Sequence, residues 1–195
     1  MPELVENLET FIAPPHKLWT REECEGLERA GMLDVERYEL IEGELILKMG
    51  KKSPHMRTVW LLVQWLGSTF GERFVAQEPA ISVHPEDTPT SEPEPDAIVL
   101  NRSFPELESL ARPDELRLVA EVSGGTLSFD MTVKARLYAR AGIAEYWVVD
   151  LKGRRVIVHR RPEGGRYLDV VAYSADEIVE TLGAPGVAIR VADLF

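Results

Sequence analysis

Two carboxylates stand in the sequence where an ordinary core strand would carry apolar residues. Asp96 opens the segment DAIVL directly after Pro95, and Glu121 lies inside LVAEVS, near the end of a second apolar segment. A carboxylate in or beside a buried strand is costly unless it is paired or bound to a cation. At the ends of adjacent strands, Asp96 and Glu121 could share one divalent metal, and Mg²⁺ suits a site with few protein oxygens.

A lysine on a predicted helix could complete this pair. Residues 130–141 are expected to form a helix that ends at Gly142, and on its wheel Lys134 shares a face with Leu137 and Tyr138. A lysine facing the sheet could contact a scissile phosphate and help to deliver water. Asp130 lies four residues earlier on the same face. The alternative is that Asp130 caps the helix and forms an ordinary ion pair with Lys134.

The elements that must position these groups follow from capping signals and hydrophobic spacing. The capping-box pattern at Thr20–Glu23 predicts a helix over 21–30. YELIEGELILKM, residues 38–49, predicts two short strands that turn at Glu42-Gly43. Ser53 as cap and Pro54 as first residue predict a helix to Phe70. Its buried stripe is predicted to contain Val59, Leu62, Val63 and Leu66, while Trp60 and Trp65 could face a second packing surface.

The rest of the chain predicts a sheet. Residues 84–95 contain several prolines and acidic residues, and we expect an exposed loop there. The strand–helix–strand order around the predicted helix indicates a crossover onto a parallel neighbour. The predicted fold class is therefore α/β (α+β variant), with a mixed central sheet flanked by helices and an N-terminal β-hairpin. The strands are expected at 74–83, 96–100, 116–122, 145–151, 155–160 and 167–173.

Composition and charge limit the class of protein. The 195 residues fit one domain over 18–195 after a lead at 1–17, and Cys24, the only cysteine, excludes a disulfide framework. The acidic start lacks the apolar core of a signal peptide, so the cytoplasm is expected. A net charge of −11 disfavours a simple nucleic-acid binder. However, 134–166 has nine Lys or Arg against three Asp or Glu, which could hold phosphates or form a solvated face.

Several segments resemble one family. EPDAIVL, LVAEVSGGTLSFDMTVKARLYARAGIAEYWVVD and YELIEGELI with the following SPH resemble the cyanobacterial-type restriction endonuclease family, long described only as a domain of unknown function. That family is part of the PD-(D/E)XK nuclease superfamily. The resemblance covers roughly Tyr38 to Asp150 and implies a restriction-endonuclease-like core.

The resemblance also implies a catalytic set. Asp96 matches the aspartate of the PD motif, and Glu121 matches the acidic residue of (D/E)XK. The chain departs from the superfamily at Ser123, where the motif has lysine. In this family the lysine role moves to the following helix, which indicates Lys134. Asp96 and Glu121 would then bind Mg²⁺ or Mn²⁺ with the carbonyl of Val122.

Further residues could take part in such a site. Glu42, Glu44 or Asp130 could hold a second ion, although a solvated turn explains the two glutamates and a helix cap explains Asp130. His55 could touch a phosphate, although a histidine near a helix start more often caps or packs.

These observations predict a metal-dependent phosphodiesterase, specifically a DNA endonuclease. A homodimer is expected because duplex cleavage needs two strand cuts. The alternatives are a non-catalytic module that binds nucleic acid or protein and keeps the nuclease fold, and a hydrolase of another phosphate ester. Fold alone cannot separate them, because function depends on the site.

Overall fold

The computed structural model describes residues 15–34, 37–48 and 52–195. Most of the predicted lead at 1–17 and the end of the predicted hairpin at Met49 lie outside these residues. The helical segments are α1 (Arg21–Arg29), α2 (Ser53–Phe70), α3 (Leu127–Phe129), a π turn (Asp130–Lys134) and α4 (Ala135–Arg140). The strands are β1 (Tyr38–Ile41), β2 (Glu44–Leu47), β3 (Val75–Gln77), β4 (Ala97–Leu100), β5 (Leu116–Ser123), β6 (Glu145–Asp150), β7 (Arg155–Glu163), β8 (Arg166–Ser174), β9 (Ile178–Glu180) and β10 (Ala188–Arg190).

A mixed six-stranded sheet forms the centre, in the order β3-β4-β5-β6-β7-β8. Strands β5 and β6 are parallel, with Glu121 opposite Val148, and the segment from α3 to α4 connects them. The other neighbours are antiparallel. The predicted mixed sheet, flanking helices and hairpin β1–β2 are therefore confirmed. No helix in the described ranges is both long and apolar enough to cross a bilayer.

The sheet carries a hydrophobic core on each face. Because side chains alternate along a strand, Ala97 and Val99 of β4 face α2, whereas Ile98 and Leu100 face α4. From α2, the predicted residues Val59, Leu62 and Leu66 are buried, and Val63 packs against the same core. Trp65 stacks on Trp147 with ring centroids 5.7 Å apart, whereas Trp60 is 58% exposed.

The start of α2 differs from the prediction. Lys52 is the N-cap without a side-chain cap bond, Ser53 is the first helical residue, and Pro54 follows it. Proline is tolerated there because the first helical N–H groups have no partner within the helix. The prediction that Ser53 caps this helix was therefore wrong.

Two predictions around 74–95 were also wrong. The predicted strand at 74–83 is limited to Val75–Gln77, because Glu78 has φ 53° and Pro79 has no N–H to donate. The loop that follows is not fully exposed, since Ser91, Pro93 and Pro95 are buried. The N–H of Glu92 donates to the carbonyl of Leu40 at 2.7 Å. The loop therefore packs on the hairpin and fixes it beside the sheet.

A buried histidine makes stability depend on pH. His159 of β7 is 2% exposed and packs against Tyr146 and Tyr167, and burial lowers its pKa from the ordinary 6.5. The unfolded chain then binds the proton more tightly, so stability is present above pH 6.5 and falls as the pH drops below it. We expect His159→Phe to weaken this acid-side loss of melting temperature. An unchanged pH dependence in thermal unfolding would exclude His159 as its source.

Candidate functional site

The antiparallel pair β4–β5 brings the two predicted carboxylates to one end of the sheet. Ala97 lies opposite Ala120, so the register places Asp96 at the level of Glu121. The N–H of Val122 donates to Asp96 Oδ2 at 2.7 Å, and His55 Nε2 lies 3.4 Å from Asp96 Oδ1. The strand backbone therefore fixes the orientation of Asp96.

Glu121 is held by two donors from the helical segment. Lys134 Nζ donates to Glu121 Oε1 at 2.8 Å, and the Tyr138 hydroxyl donates to the same oxygen at 2.9 Å. Glu121 is 5% exposed. Within the described ranges, no hydrogen bond reaches Glu121 Oε2, which makes this oxygen the one that could bind a cation.

Lys134 lies between two glutamates. Its Nζ is 3.0 Å from Glu39 Oε2 as well as 2.8 Å from Glu121 Oε1. Of the lysines and arginines that the structure describes, Lys134 is the only buried one, at 3% exposure. Among the described residues, Lys134 forms ion pairs with Glu39 and Glu121. The ion pair with Asp130 that the alternative interpretation predicted is not formed. Lys134 links the hairpin to the sheet.

Asp130 is not at the start of the helical segment. It is buried within the helical segment, and it accepts a hydrogen bond from the Thr126 hydroxyl at 2.7 Å. Thr126 itself is the N-cap of α3. The prediction that Asp130 caps the helix was therefore wrong. Asp130 is instead a buried acidic residue in the same π turn as Lys134.

A π turn shapes the segment that carries Lys134. We predicted one α-helix over 130–141, but residues Asp130–Lys134 are wound as a π-helix between α3 and α4. Asp130 and Lys134 are both buried in this turn. Single π turns inside α-helices are frequent at functional sites, and here the turn directs both residues of the predicted pair inward.

These groups line one cavity of about 1200 Å³. The cavity lies between the hairpin, the start of α2, the ends of β5 and β6, and the π turn. Its carboxylates include Glu39, Glu94, Asp96, Glu121 and Asp130. The structure therefore brings Asp96, Glu121, Val122, Lys134, Asp130 and His55 together around one space.

The buried charges perturb each other. Burial raises the pKa of Glu121 well above the ordinary 4.5; Lys134 offsets part of this rise, and Asp130, Asp96 and Glu39 add to it. Burial alone would lower the pKa of Lys134, but the carboxylates of Glu121, Glu39 and Asp130 outweigh burial and raise it. Burial also raises the pKa of Asp130. The lysine therefore stays charged, and Glu121 and Asp130 hold their protons more tightly than exposed carboxyl groups do.

The donor set fits a hard divalent cation that keeps most of its waters. The described residues contain no group of three His, Cys, Asp or Glu side chains close enough to form a ready metal cage. Mg²⁺ does not need one, because it is commonly bound through one or two carboxylates and completes its shell with water and substrate oxygens. Asp96 and Glu121, with the carbonyl of Val122, could supply such a partial shell, and the carboxyl groups of Glu39 and Asp130 line the same cavity.

Two of the predicted accessory residues lie elsewhere. Glu42 pairs with Arg140 at 2.7 Å, and Glu44 lies 3.0 Å from His16. Neither residue lines the cavity. Glu42 instead helps to tie the hairpin turn to α4, so a second metal ion would depend on Asp130 or on residues that we did not predict.

The sequence reasoning missed Glu39 and Tyr138. Glu39 precedes Ile41 by two residues, and Ile41 packs against Leu137 of α4. Side chains two apart on a strand share a face, so the burial of Ile41 could have shown that Glu39 faces the same helix. Tyr138 follows Lys134 by one helical turn, and we assigned it only to the core.

Removing the Tyr138 hydroxyl tests its role as a positioning group. We expect Tyr138→Phe to lower the free energy of unfolding by about 1–3 kcal/mol, because a buried hydrogen bond to a charged partner is lost. Any cleavage activity should fall roughly tenfold with little change in KM, since Glu121 loses one of two restraints. Urea unfolding and initial rates check this, with Tyr167→Phe as control, because the Tyr167 hydroxyl bonds the carbonyl of Ile143 away from the cavity. Equal effects of both variants on activity would contradict the positioning role.

Comparison with known proteins identifies a matching family and solved structures of similar fold. A family model described as "Uma2: Putative restriction endonuclease" matches residues 22–192. The crystal structure of a "putative nuclease belonging to DUF820" from Anabaena variabilis shares 18% identity with a TM-score of 0.65, and the match covers 86% of this chain and 95% of that one. At this identity the likeness supports the fold alone. No functionally curated protein shows a significant match.

Proposed function

The chain belongs to the Uma2 family of restriction-endonuclease-like proteins, as its motifs predicted, and we propose that it is a metal-dependent phosphodiesterase that cleaves DNA as an endonuclease. The family assignment supports a nuclease in general terms. The metal, the catalytic residues and the choice of DNA are our own proposal.

One observation carries this proposal: buried and half-buried carboxyl groups line the same cavity as the buried Lys134. Burial raises the pKa of Glu121, and the charges of Asp130, Asp96 and Glu39 add to that rise. Lys134, the only buried cation in the part of the chain that the structure describes, opposes it. Leaving several carboxylates with one cation in a buried site is unfavourable. A divalent cation in the cavity would offset this excess of carboxyl groups.

Asp96, Glu121 and Lys134 would have different roles in cleavage. When bound, Mg²⁺ or Mn²⁺ would polarise a phosphate oxygen and lower the pKa of a bound water. Asp96, fixed by the Val122 N–H, and Glu121, fixed by Lys134 and Tyr138, would hold the ion without reorganising. The ammonium of Lys134 would orient the attacking water or offset the charge that develops on the phosphate.

A second candidate is a non-catalytic module that binds nucleic acid or protein and retains the nuclease fold. The lack of a three-residue metal cage among the described residues favours it, as does the pairing of Lys134 on both sides. The homodimer also stays a proposal, which rests on the need for two cuts in a duplex.

Metal binding separates the two candidates. We expect the wild-type protein to bind Mg²⁺ and to cleave DNA only when Mg²⁺ or Mn²⁺ is present, with activity lost in EDTA. Asp96→Ala should weaken Mg²⁺ binding by roughly tenfold or more. Asp114→Ala is the control, because Asp114 is exposed and pairs only with a surface arginine. Titration calorimetry measures both. Equal affinities for Asp96→Ala and the wild type would move the assignment to the non-catalytic module.

A further inference from the structure

Cations without partners stand at the rim of the cavity. The residues Arg37, Lys52 and Lys152 are exposed and line the cavity. Among the described residues, none of these three makes an ion pair, although the chain has a net charge of −11 and most of its buried or half-buried cations are paired. The inner part of the cavity, which we call its floor, contains Glu121 and Lys134. Positive charge at the rim suits a ligand whose anionic groups stay there.

The walls between rim and floor are partly apolar. Ile46 and Leu47 of β2, Phe129 of α3 and Leu151 after β6 all line the cavity. Leu47 is 51% exposed, so its side chain is available to a ligand in the cavity. Apolar walls suit flat bases, which stack or pack on such side chains when they are not paired.

The floor of the cavity, formed by Glu121 and Lys134, is almost inaccessible to solvent. Glu121 is 5% exposed and Lys134 is 3% exposed. The faces of duplex bases are hidden in the stack, so a duplex offers the apolar walls only its backbone and the edges of its bases. An unpaired strand can bend a phosphate toward the floor, lay its bases on the walls and leave flanking phosphates at the rim.

We propose that the cavity takes an unpaired nucleic-acid strand, such as a single-stranded segment, a flap or a frayed end, rather than intact duplex. This inference rests on the proposed nuclease function and names its substrate class. Arg37, Lys52 and Lys152 contact the flanking phosphates, and Leu47 contacts a base.

The test compares binding of one sequence as an unpaired strand and as a blunt duplex. Fluorescence anisotropy is measured with Mg²⁺ in the Glu121→Gln background, which is expected to prevent cleavage. We expect the unpaired strand to bind at least about tenfold more tightly than the duplex. DNA and RNA oligonucleotides are separate arms, since both supply phosphates and unpaired bases, and their comparison identifies the sugar that is preferred.

Matched variants test the rim and the wall. Replacing the three rim cations by alanine should lower the slope of log affinity against log salt by about 2 for the unpaired strand. The control replaces three exposed cations that do not line the cavity, with the same change in net charge: Arg117, Arg136 and Arg166. Leu47→Ser should weaken strand binding roughly fivefold or more, whereas Leu182→Ser, also 51% exposed but outside the cavity, should not.

The outcomes distinguish this inference from the proposed function. Tighter binding of duplex, or equal effects of the rim variant and its control, would overturn the inference, while metal-dependent cleavage of duplex would leave the nuclease assignment in place. If the protein neither binds nor cuts a strand or a duplex of either nucleic acid, the proposed function fails, and the inference fails with it.

Discussion

Glu121→Gln is expected to reduce phosphodiester cleavage by about a thousandfold or more while the protein stays folded. The amide keeps a carbonyl oxygen that can accept from Lys134 and Tyr138, whose bonds both reach Glu121 Oε1. It loses the charge that would bind the metal, and metal stabilisation of the transition state contributes several kcal/mol. Initial rates and calorimetric Mg²⁺ titration measure the two effects together.

A matched control separates charge from position in this experiment. Glu163→Gln removes one carboxylate from the exposed end of β7 and should leave cleavage unchanged. We expect the free energy of unfolding of Glu121→Gln to stay within about 2 kcal/mol of the wild type, since the buried hydrogen bonds survive. Cleavage within tenfold of the wild type would remove Glu121 from the proposed metal site.

Lys134→Met is expected to lower the free energy of unfolding by about 3–5 kcal/mol near neutral pH. Glu121 and Glu39 lie 2.8 Å and 3.0 Å from Lys134 Nζ. Methionine leaves the buried Glu121 and the half-buried Glu39 with no cation between them. Cleavage should be lost as well. Urea unfolding gives the stability, and circular dichroism confirms that the variant folds at low temperature.

The loss in Lys134→Met should depend on pH with a definite sign. Burial already raises the pKa of Glu121 above 4.5, and Lys134 is the group that opposes this rise. Without the lysine, the folded state holds the Glu121 proton more tightly than the unfolded state does. Stability is then greatest below pH 4.5 and is lost as the pH rises through the raised pKa.

A second substitution tests this explanation for Lys134→Met. The double variant Lys134→Met/Glu121→Gln should regain most of the lost stability, because it removes the unpaired charge. A pH-independent loss, or no recovery in the double variant, would show that Lys134 stabilises the fold by packing and not by charge.

The sequence predicted Asp96, Glu121 and Lys134 because each breaks a local pattern. A carboxylate in an apolar strand and a lysine on the apolar face of a helix are costly unless they meet, and the structure does bring them together in one cavity. The π turn could not be predicted, since it depends on how 127–140 packs between the hairpin and the sheet. Periodicity alone fits an α-helix there.

In the hairpin β1–β2, the residue that reaches the site could not be predicted from the sequence. The turn at Glu42-Gly43 was predicted from local residues, and Glu42 and Glu44 were considered as possible metal ligands. The hairpin glutamate that lines the cavity and pairs with Lys134 is Glu39, whose position depends on which face of β1 packs against α4. That choice is fixed by tertiary contacts such as the packing of Ile41 on Leu137. The short strands β9 and β10 were missed for a similar reason, since three residues each give too little pattern.

The most direct test of the account is nicking of supercoiled plasmid that carries an extruded unpaired region, with Mg²⁺ or Mn²⁺. The wild type is measured beside Glu121→Gln, Lys134→Met and the control Glu163→Gln. We expect metal-dependent nicking by the wild type and by Glu163→Gln, and none by the other two variants. Nicking that survives in both site variants, or none by the wild type with either metal, would contradict the proposed active site.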